Sequence, residues 1–158
     1  MSNGGSKYAY GILFANNSST TTNIKNNIVA QLSGSQERAY YKNNASSTIN
    51  SANNLSDDTA DAAYDAEDMA QSLNDSSALT GKTLAQIAFV STTGGSEDLH
   101  IESGSHCIDE GVDLGTTNGV EIDINGRDRD SEGDTWDIGA HELVADDTTG
   151  AAFIMFVD

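Results

Sequence analysis

Apolar positions in the first third of the chain are sparse and fall at matching places in two stretches. Residues 11–29 (GILFANNSSTTTNIKNNIV) and 38–56 (RAYYKNNASSTINSANNLS) superpose without a gap at a spacing of 27 residues. The match covers Asn16/Asn43, Asn17/Asn44, Ser19/Ser46, Thr21/Thr48, Asn23/Asn50, Asn26/Asn53 and Asn27/Asn54, with Ile28/Leu55 as a conservative pair. Ile12, Phe14, Ile24 and Ile28 sit among β-branched Thr and turn-favouring Asn and Ser with no helical spacing, which predicts short strands joined by polar turns. A repeat of this period points to a solenoid, in which each unit buries its apolar side only by stacking on the next. About 27 residues holding two or three strands suits one rung of a parallel β-helix, whose equivalent residues stack at roughly 4.8 Å. The paired Asn26, Asn27, Asn53 and Asn54 fit this scheme. Asn tolerates the left-handed backbone of sharp corners, and stacked Asn amides bond in ladders.

The pattern then changes. Residues 57–73 (DDTADAAYDAEDMAQSL) are rich in Ala, Glu, Met and Leu, with Asp57 or Asp58 placed to cap a helix, and predict a short helix over 60–73. Residues 83–90 (TLAQIAFV) read as a helical turn running into a strand, and Leu99 and Ile101 alternate with polar neighbours as strand residues do. The expected fold class is all-β: a right-handed parallel β-helix with a short helical insertion and an irregular closing segment. A single domain is expected over 1–158, with two rungs at 8–56, the insertion at 57–97, the closing segment at 98–143 and a strand tail at 144–158. That tail contains the apolar run 151–157 (AAFIMFV), which is an aggregation hazard unless paired, buried or held in a subunit contact.

Composition narrows the partners. The 158 residues suit one domain with a real core, and 37% hydrophobic content argues against wholesale disorder. Against 25 acidic residues stand 7 basic ones, a net charge of -18 with a pI near 4.1. That sign disfavours nucleic-acid backbones and anionic membranes, whose affinity rests on Lys and Arg. It fits a saline or divalent-rich medium, or solubility through mutual repulsion. Cys107 is the single cysteine, which leaves no intrachain disulfide framework and reads as a small buried apolar residue. No signal-peptide pattern and no apolar run near 20 residues appears in the sequence. Two rungs are fewer than the three or so a solenoid needs, so capping or self-association is expected to cover their open edges.

Three ordered motifs occupy the last third: residues 98–111 (DLHIESGSHCIDEG), 121–127 (EIDINGR) and 136–143 (WDIGAHEL). Together they resemble the closing segment of right-handed parallel β-helix proteins of the pectate-lyase-like type, and within that group the choice-of-anchor Q domains of bacteria and phages. That ending reads D-F-x-L-x-x-G-S-P-A-I-D-x-G, then D-x-D-G-x-x-R, then D-I-G-A-x-E. The matching positions are Asp98, Leu99, Ile101, Gly104, Ser105, Ile108, Asp109 and Gly111, then Asp123, Asn125, Gly126 and Arg127, then Asp137, Ile138, Gly139, Ala140 and Glu142. The family's prolines are absent, since the chain has no Pro at all, and those turns lose a fixed φ.

Each motif residue also has a direct physical reading. Gly104, Gly111, Gly126 and Gly139 stand in polar turns where positive φ or close backbone approach is expected. Asp109, Asp123 and Asp137 are placed to accept backbone N–H groups, with Arg127 as a bidentate partner for one carboxylate. A rival reading of Asp123, Asn125, Asp128 and Asp130 is a calcium site, because these oxygen-bearing side chains crowd a Gly turn. The run lacks the full twelve-residue EF-hand loop and its closing Glu, and otherwise no cofactor is expected.

Catalytic signals are weak. Carboxylate pairs for glycoside hydrolysis can be chosen at will among 25 acids, and none of the basic residues has the setting of a lyase base. His100, His106 and His141 read as hydrogen-bonded structural residues. Ser105, His106 and Asp109 suggest a triad by composition, but near-adjacent residues lack its geometry and there is no nucleophile elbow. The expectation is therefore a non-enzymatic structural or adhesive module at a cell or virion surface, of tail-fibre, tailspike or decoration type, that contacts polysaccharide and associates with itself or with neighbouring subunits. Tyr8, Tyr10, Tyr40, Tyr41 and Trp136 are the aromatic candidates for stacking on sugar. The alternatives are a polysaccharide lyase or glycoside hydrolase fragment and, more remotely, a binder of ice or a crystalline surface through the hydroxyl-rich 19–22 and 46–49 segments.

Overall fold

A computed structural model describes residues 8–14, 21–30, 36–42, 48–57, 64–65, 77–116, 120–132 and 135–144. Strand β1 (Tyr8–Phe14) pairs in parallel with β4 (Gln36–Lys42), β2 (Thr21–Lys25) with β5 (Thr48–Ala52), and β3 (Ile28–Val29) with β6 (Leu55–Ser56). The repeats thus lie side by side. Thr21 faces Thr48, Asn23 faces Asn50 and Ile28 faces Leu55, the partners the sequence match names. In the first pair Tyr8 faces Gln36 and Ile12 faces Tyr40, one position beyond the gapless match. The connections absorb the difference, with six residues between β1 and β2 and five between β4 and β5. The shift matters because a one-residue slip exchanges the two faces of a strand, and this register sets Ile12 beside the buried Tyr40.

Sharp corners join the strands. Asn26 and Asn53 both adopt the left-handed conformation, at φ 55° and 53°. Next to these corners, Asn54 is fully buried and accepts at Oδ1 from the backbone N–H (3.1 Å) and Nδ2 (3.0 Å) of Asn27, while its own Nδ2 donates to the carbonyl of Ile24 at 3.0 Å. A third layer adds to the second repeat at two places. Strand β7 (Tyr64–Asp65) pairs with β4, and Leu79 bridges Leu55 in parallel.

The expected right-handed parallel β-helix is nevertheless corrected. The described strands run from two to seven residues and form one three-stranded and three two-stranded sheets, with both parallel and antiparallel pairs and no continuous solenoid among the described residues. The physical reason lies in the sequence after Ser56, where the 27-residue pattern stops and local signals take over. Thr83 and Gln86 make a reciprocal capping box that starts the one-turn helix α1 (Leu84–Ile87), and Ala88 ends it in the left-handed region at φ 53°. Strand β8 (Phe89–Ser91) follows and pairs antiparallel with β9 (Asp98–Ile101). The predicted helix over 60–73 is also corrected where it is described, because Tyr64 and Asp65 are strand residues beside Tyr41 and Lys42. The rest of that helix, and the tail segment 145–158, lie outside the described residues.

Among the described residues, two apolar clusters hold the fold. One gathers Ile24, Val29, Ala39 and Tyr40 between the repeats, and the other gathers Leu55, Ile87, Ile101, Cys107 and Ile138 beneath the closing segment. Burial pushes the Cys107 thiol up, as suits a packing residue rather than a nucleophile. No helix among the described residues is long and apolar enough to cross a membrane.

Candidate functional site

The closing segment, residues 98–143, wraps back over the Asn corners. Asn26 exchanges two hydrogen bonds with Val112, donating from Nδ2 to its carbonyl (2.8 Å) and accepting its N–H at Oδ1 (2.9 Å). One corner up, Asn53 Nδ2 donates to the carbonyl of Glu110 at 2.8 Å. The corner amides therefore act as docking points for the closing segment. The N–H of Gly139 completes the attachment by donating to the carbonyl of Asn26 at 3.0 Å.

Around this seam the motif acids converge on backbone. Asp137, buried, accepts the N–H of Asp109 at Oδ1 (2.8 Å) and of Leu143 at Oδ2 (2.7 Å). Asp123 accepts from Asn125 (2.8 Å) and Arg127 (2.9 Å) at Oδ1 and from Glu142 (3.2 Å) at Oδ2. Glu142 in turn accepts the N–H of Asp137 at 3.0 Å. Each carboxylate fixes two chain segments at once. For Asp123, burial works to raise the carboxyl, but the N–H groups of Arg127, Glu142 and Asn125 outweigh it and hold it below the usual carboxylate range. Asp137 goes the other way, because burial outweighs its two N–H partners.

The buried cation of the site is Arg129, whereas the sequence reading assigned this role to Arg127. Arg129 Nη1 meets Glu142 Oε2 at 3.0 Å with both side chains 4% exposed, and also the carbonyl of Asp137 at 3.3 Å. Its Nη2 donates to the carbonyl of Gly139 at 2.8 Å, and the guanidinium lies 5.4 Å from the centre of the Trp136 ring. Arg127 contributes its backbone N–H to Asp123 instead. The signal was present in the sequence: the motif D-x-D-G-x-x-R leaves two residues between Gly and Arg, and counting from Gly126 leads to Arg129. Burial pushes the Glu142 carboxyl up to about 7, with the Asp137 N–H and Arg129 pulling it down.

The remaining predicted residues take separate places. Gly111 admits the chain where a Cβ would lie 2.5 Å from the carbonyl oxygen of Trp136, so only glycine fits that approach. Gly104, Gly126 and Gly139 have φ of 89°, 81° and 111°. Ser105 Oγ donates to the carbonyl of Ile87 at 2.6 Å and accepts the N–H of Cys107 at 3.1 Å, which pins the closing segment to the end of α1. A buried hydroxyl engaged in this way does not form the triad with His106 and Asp109. Asp98 bonds His100, and sequence reasoning passed over the array these two form with Asn125 and His141.

The residues of the calcium expectation do not form one oxygen cage. Asp123 is committed to three N–H groups, Asn125 Oδ1 faces His100 Nε2 at 2.9 Å, Asp128 Oδ1 accepts the N–H of Asp130, and Asp130 Oδ1 accepts from Trp136 Nε1 at 2.9 Å. Among the described residues no group of three or more His, Cys, Asp or Glu is placed to hold a metal ion. Two of the aromatic candidates are likewise spent: Tyr40 is 1% and Trp136 3% exposed.

Beside the seam opens a cleft of about 510 Å³. Leu99, Val120, Ile122 and Ile124 line it and are each roughly half exposed, while Asn27, Arg129 and His141 supply polar groups. A second hollow of about 470 Å³ is lined by His100, Glu102, Ser103, Asn125 and His141 with Val90, Ile101 and Leu143. No family model, curated protein or solved structure matches this chain. The likeness to choice-of-anchor Q endings thus stands on the quoted motif residues alone.

Proposed function

We propose that this chain is a non-enzymatic structural or adhesive module of a cell or virion surface, acting through its shape and polar faces and contacting polysaccharide. The observation that carries the reading is the fate of the motif carboxylates. Asp123, Asp137 and Glu142 spend their oxygens on backbone N–H groups and on Arg129, so their chemistry goes into fastening the chain. A pair of glycosidase carboxylates would instead face one open groove across a fixed gap. The paired strands β2 and β5 add a polar face in which Thr21, Asn23, Thr48 and Asn50 are exposed and Asn50 Nδ2 donates to Asn23 Oδ1 at 3.2 Å. Such a row of hydroxyls and amides matches the hydrogen-bonding groups of a sugar chain. In this reading the module needs no cofactor and works beside further copies or neighbouring subunits.

The test is retention on a panel of immobilised neutral and acidic polysaccharides together with assay of released ends. Retention on at least one of them, with no reducing-end or unsaturated product, is the expected result. Product release from any member would overturn the reading in favour of a lyase or hydrolase, and failure to bind every member would remove polysaccharide as the partner.

A further inference from the structure

His100 stands on β9 with an acceptor at each ring nitrogen. Its Nδ1 meets Oδ1 of Asp98 on the same strand, and the backbone N–H of His100 donates to that same oxygen at 3.1 Å, which keeps Asp98 turned toward the ring. Its Nε2 meets Oδ1 of Asn125, 2.9 Å away on the turn that follows Asp123. A neutral imidazole has one N–H and one lone pair, so it can donate to only one of two acceptors. Both contacts are hydrogen bonds when the ring is an imidazolium. Once the ring is neutral with its proton on Nδ1, the Nε2 lone pair faces the Asn125 oxygen, and the contact becomes repulsive unless that amide rotates.

The surroundings act in the same sense. Asp98 faces the ring from β9 itself, and Asn125 and the Asp123 carboxylate face it from the turn. His141 approaches edge-on from the closing segment with ring centroids 4.7 Å apart, and its Nδ1 accepts the N–H of Ile101 at 3.1 Å, the use of a neutral ring. Glu102 lines the same hollow, to which Val90 of β8 and Leu143 add only apolar surface. The bonds to Asp98 and Asn125 hold the His100 pKa above its ordinary value, against the opposing effect of burial.

We propose that His100 is a proton-operated clamp, which as an imidazolium ties β9 to the Asp123 turn and releases that turn when it loses its proton. The turn carries Asp123, whose Oδ2 holds the N–H of Glu142, and Ile122 and Ile124 beside it line the larger cleft. Release therefore loosens the closing segment at the cleft wall. The direction follows from the raised pKa: the clamp is closed below the ordinary histidine value and opens as pH rises through the higher folded value. The inference rests on this geometry and not on the surface-module reading.

Site-resolved NMR titration of the three histidines from pH 5 to 9 tests it, in the native protein and in Asn125→Ala, Asn125→Asp and Asp98→Asn. Asn125 is exposed, so its variants keep the fold. The expected result is a His100 midpoint above about 6.5, moved down by about half a pH unit or more in Asn125→Ala and Asp98→Asn and up in Asn125→Asp. Both ring nitrogens should carry protons below the midpoint, and hydrogen-exchange protection of the Asn125 and Arg127 amides, corrected for intrinsic rate, should fall above it. A midpoint at or below the ordinary value overturns the clamp. So does a midpoint that the Asn125 substitutions leave in place, or amide protection that ignores the His100 titration.

Discussion

Asn27 and Asn54, 27 residues apart in sequence, are joined twice: the backbone N–H and the side-chain Nδ2 of Asn27 both reach Asn54 Oδ1, at 3.1 and 3.0 Å. The hydroxyl of Tyr40 closes on the same place by donating to the carbonyl of Asn27 at 3.0 Å. A buried amide that serves two neighbours leaves both unsatisfied when it is removed, and each such group costs about 1–3 kcal/mol. Asn54→Ala is therefore expected to lose about 2–4 kcal/mol in urea unfolding. Asn50→Ala, which breaks the exposed amide pair with Asn23, should change stability by less than about 0.5 kcal/mol.

The buried ion pair of Arg129 and Glu142 makes a second prediction. Removing one partner strands the other charge away from water, a loss of about 3–5 kcal/mol. Arg129→Met should show a loss of that size in denaturant unfolding at pH 8. The double variant Arg129→Met with Glu142→Met should cost clearly less than the two single losses combined, because no charge is then left alone. Strict additivity would mean that the two groups do not act as a pair.

Glu142 also gives the closing segment a pH dependence. Its folded value of about 7 stands above the ordinary 4.5, so the folded state holds the proton more tightly than the unfolded one. The resulting stabilisation is complete below the ordinary value and is lost as pH rises through about 7. The raised value of Asp137 acts in the same direction. Unfolding free energy should therefore decline between pH 5 and pH 7.5, and Glu142→Gln should flatten that decline. A native profile that rises over this interval would contradict the assignment.

Calcium should have no specific effect. With both oxygens of Asp123 and Oδ1 of Asp130 already engaged by N–H donors, melting temperature in excess Ca²⁺ should equal that in excess chelator at matched ionic strength. A bound ion at 100 times its Kd would add about 2.7 kcal/mol, which a melting curve detects readily.

Much of the local pairing was legible in the residues. The match of Thr21, Asn23 and Ile28 with Thr48, Asn50 and Leu55 is the register of β2 with β5 and of β3 with β6. The turn into β8 was readable from Thr83 onward. The architecture was not, since extrapolating a repeat assumes it continues, and after Ser56 a capping box and an antiparallel pair replace it. Leu99 shows the limit of alternation, being half exposed while Ile101 is buried, because on this strand it is the cleft that decides which positions are covered. Arg129 was hidden by a neighbour of the same type two positions away. The array around His100 joins residues 98, 100, 125 and 141, and no local pattern announces a contact between such distant positions.

The assignment of the motif acids to fastening rather than chemistry is tested most directly by Asp137→Asn, measured at pH 8 by urea unfolding alongside polysaccharide retention. The substitution keeps the shape but turns one oxygen into an N–H₂ facing the backbone N–H of Asp109 or Leu143. The expected result is a stability loss of about 2–4 kcal/mol with retention of the folded fraction unchanged. Unchanged stability together with lost retention, or with loss of any polysaccharide turnover, would contradict it.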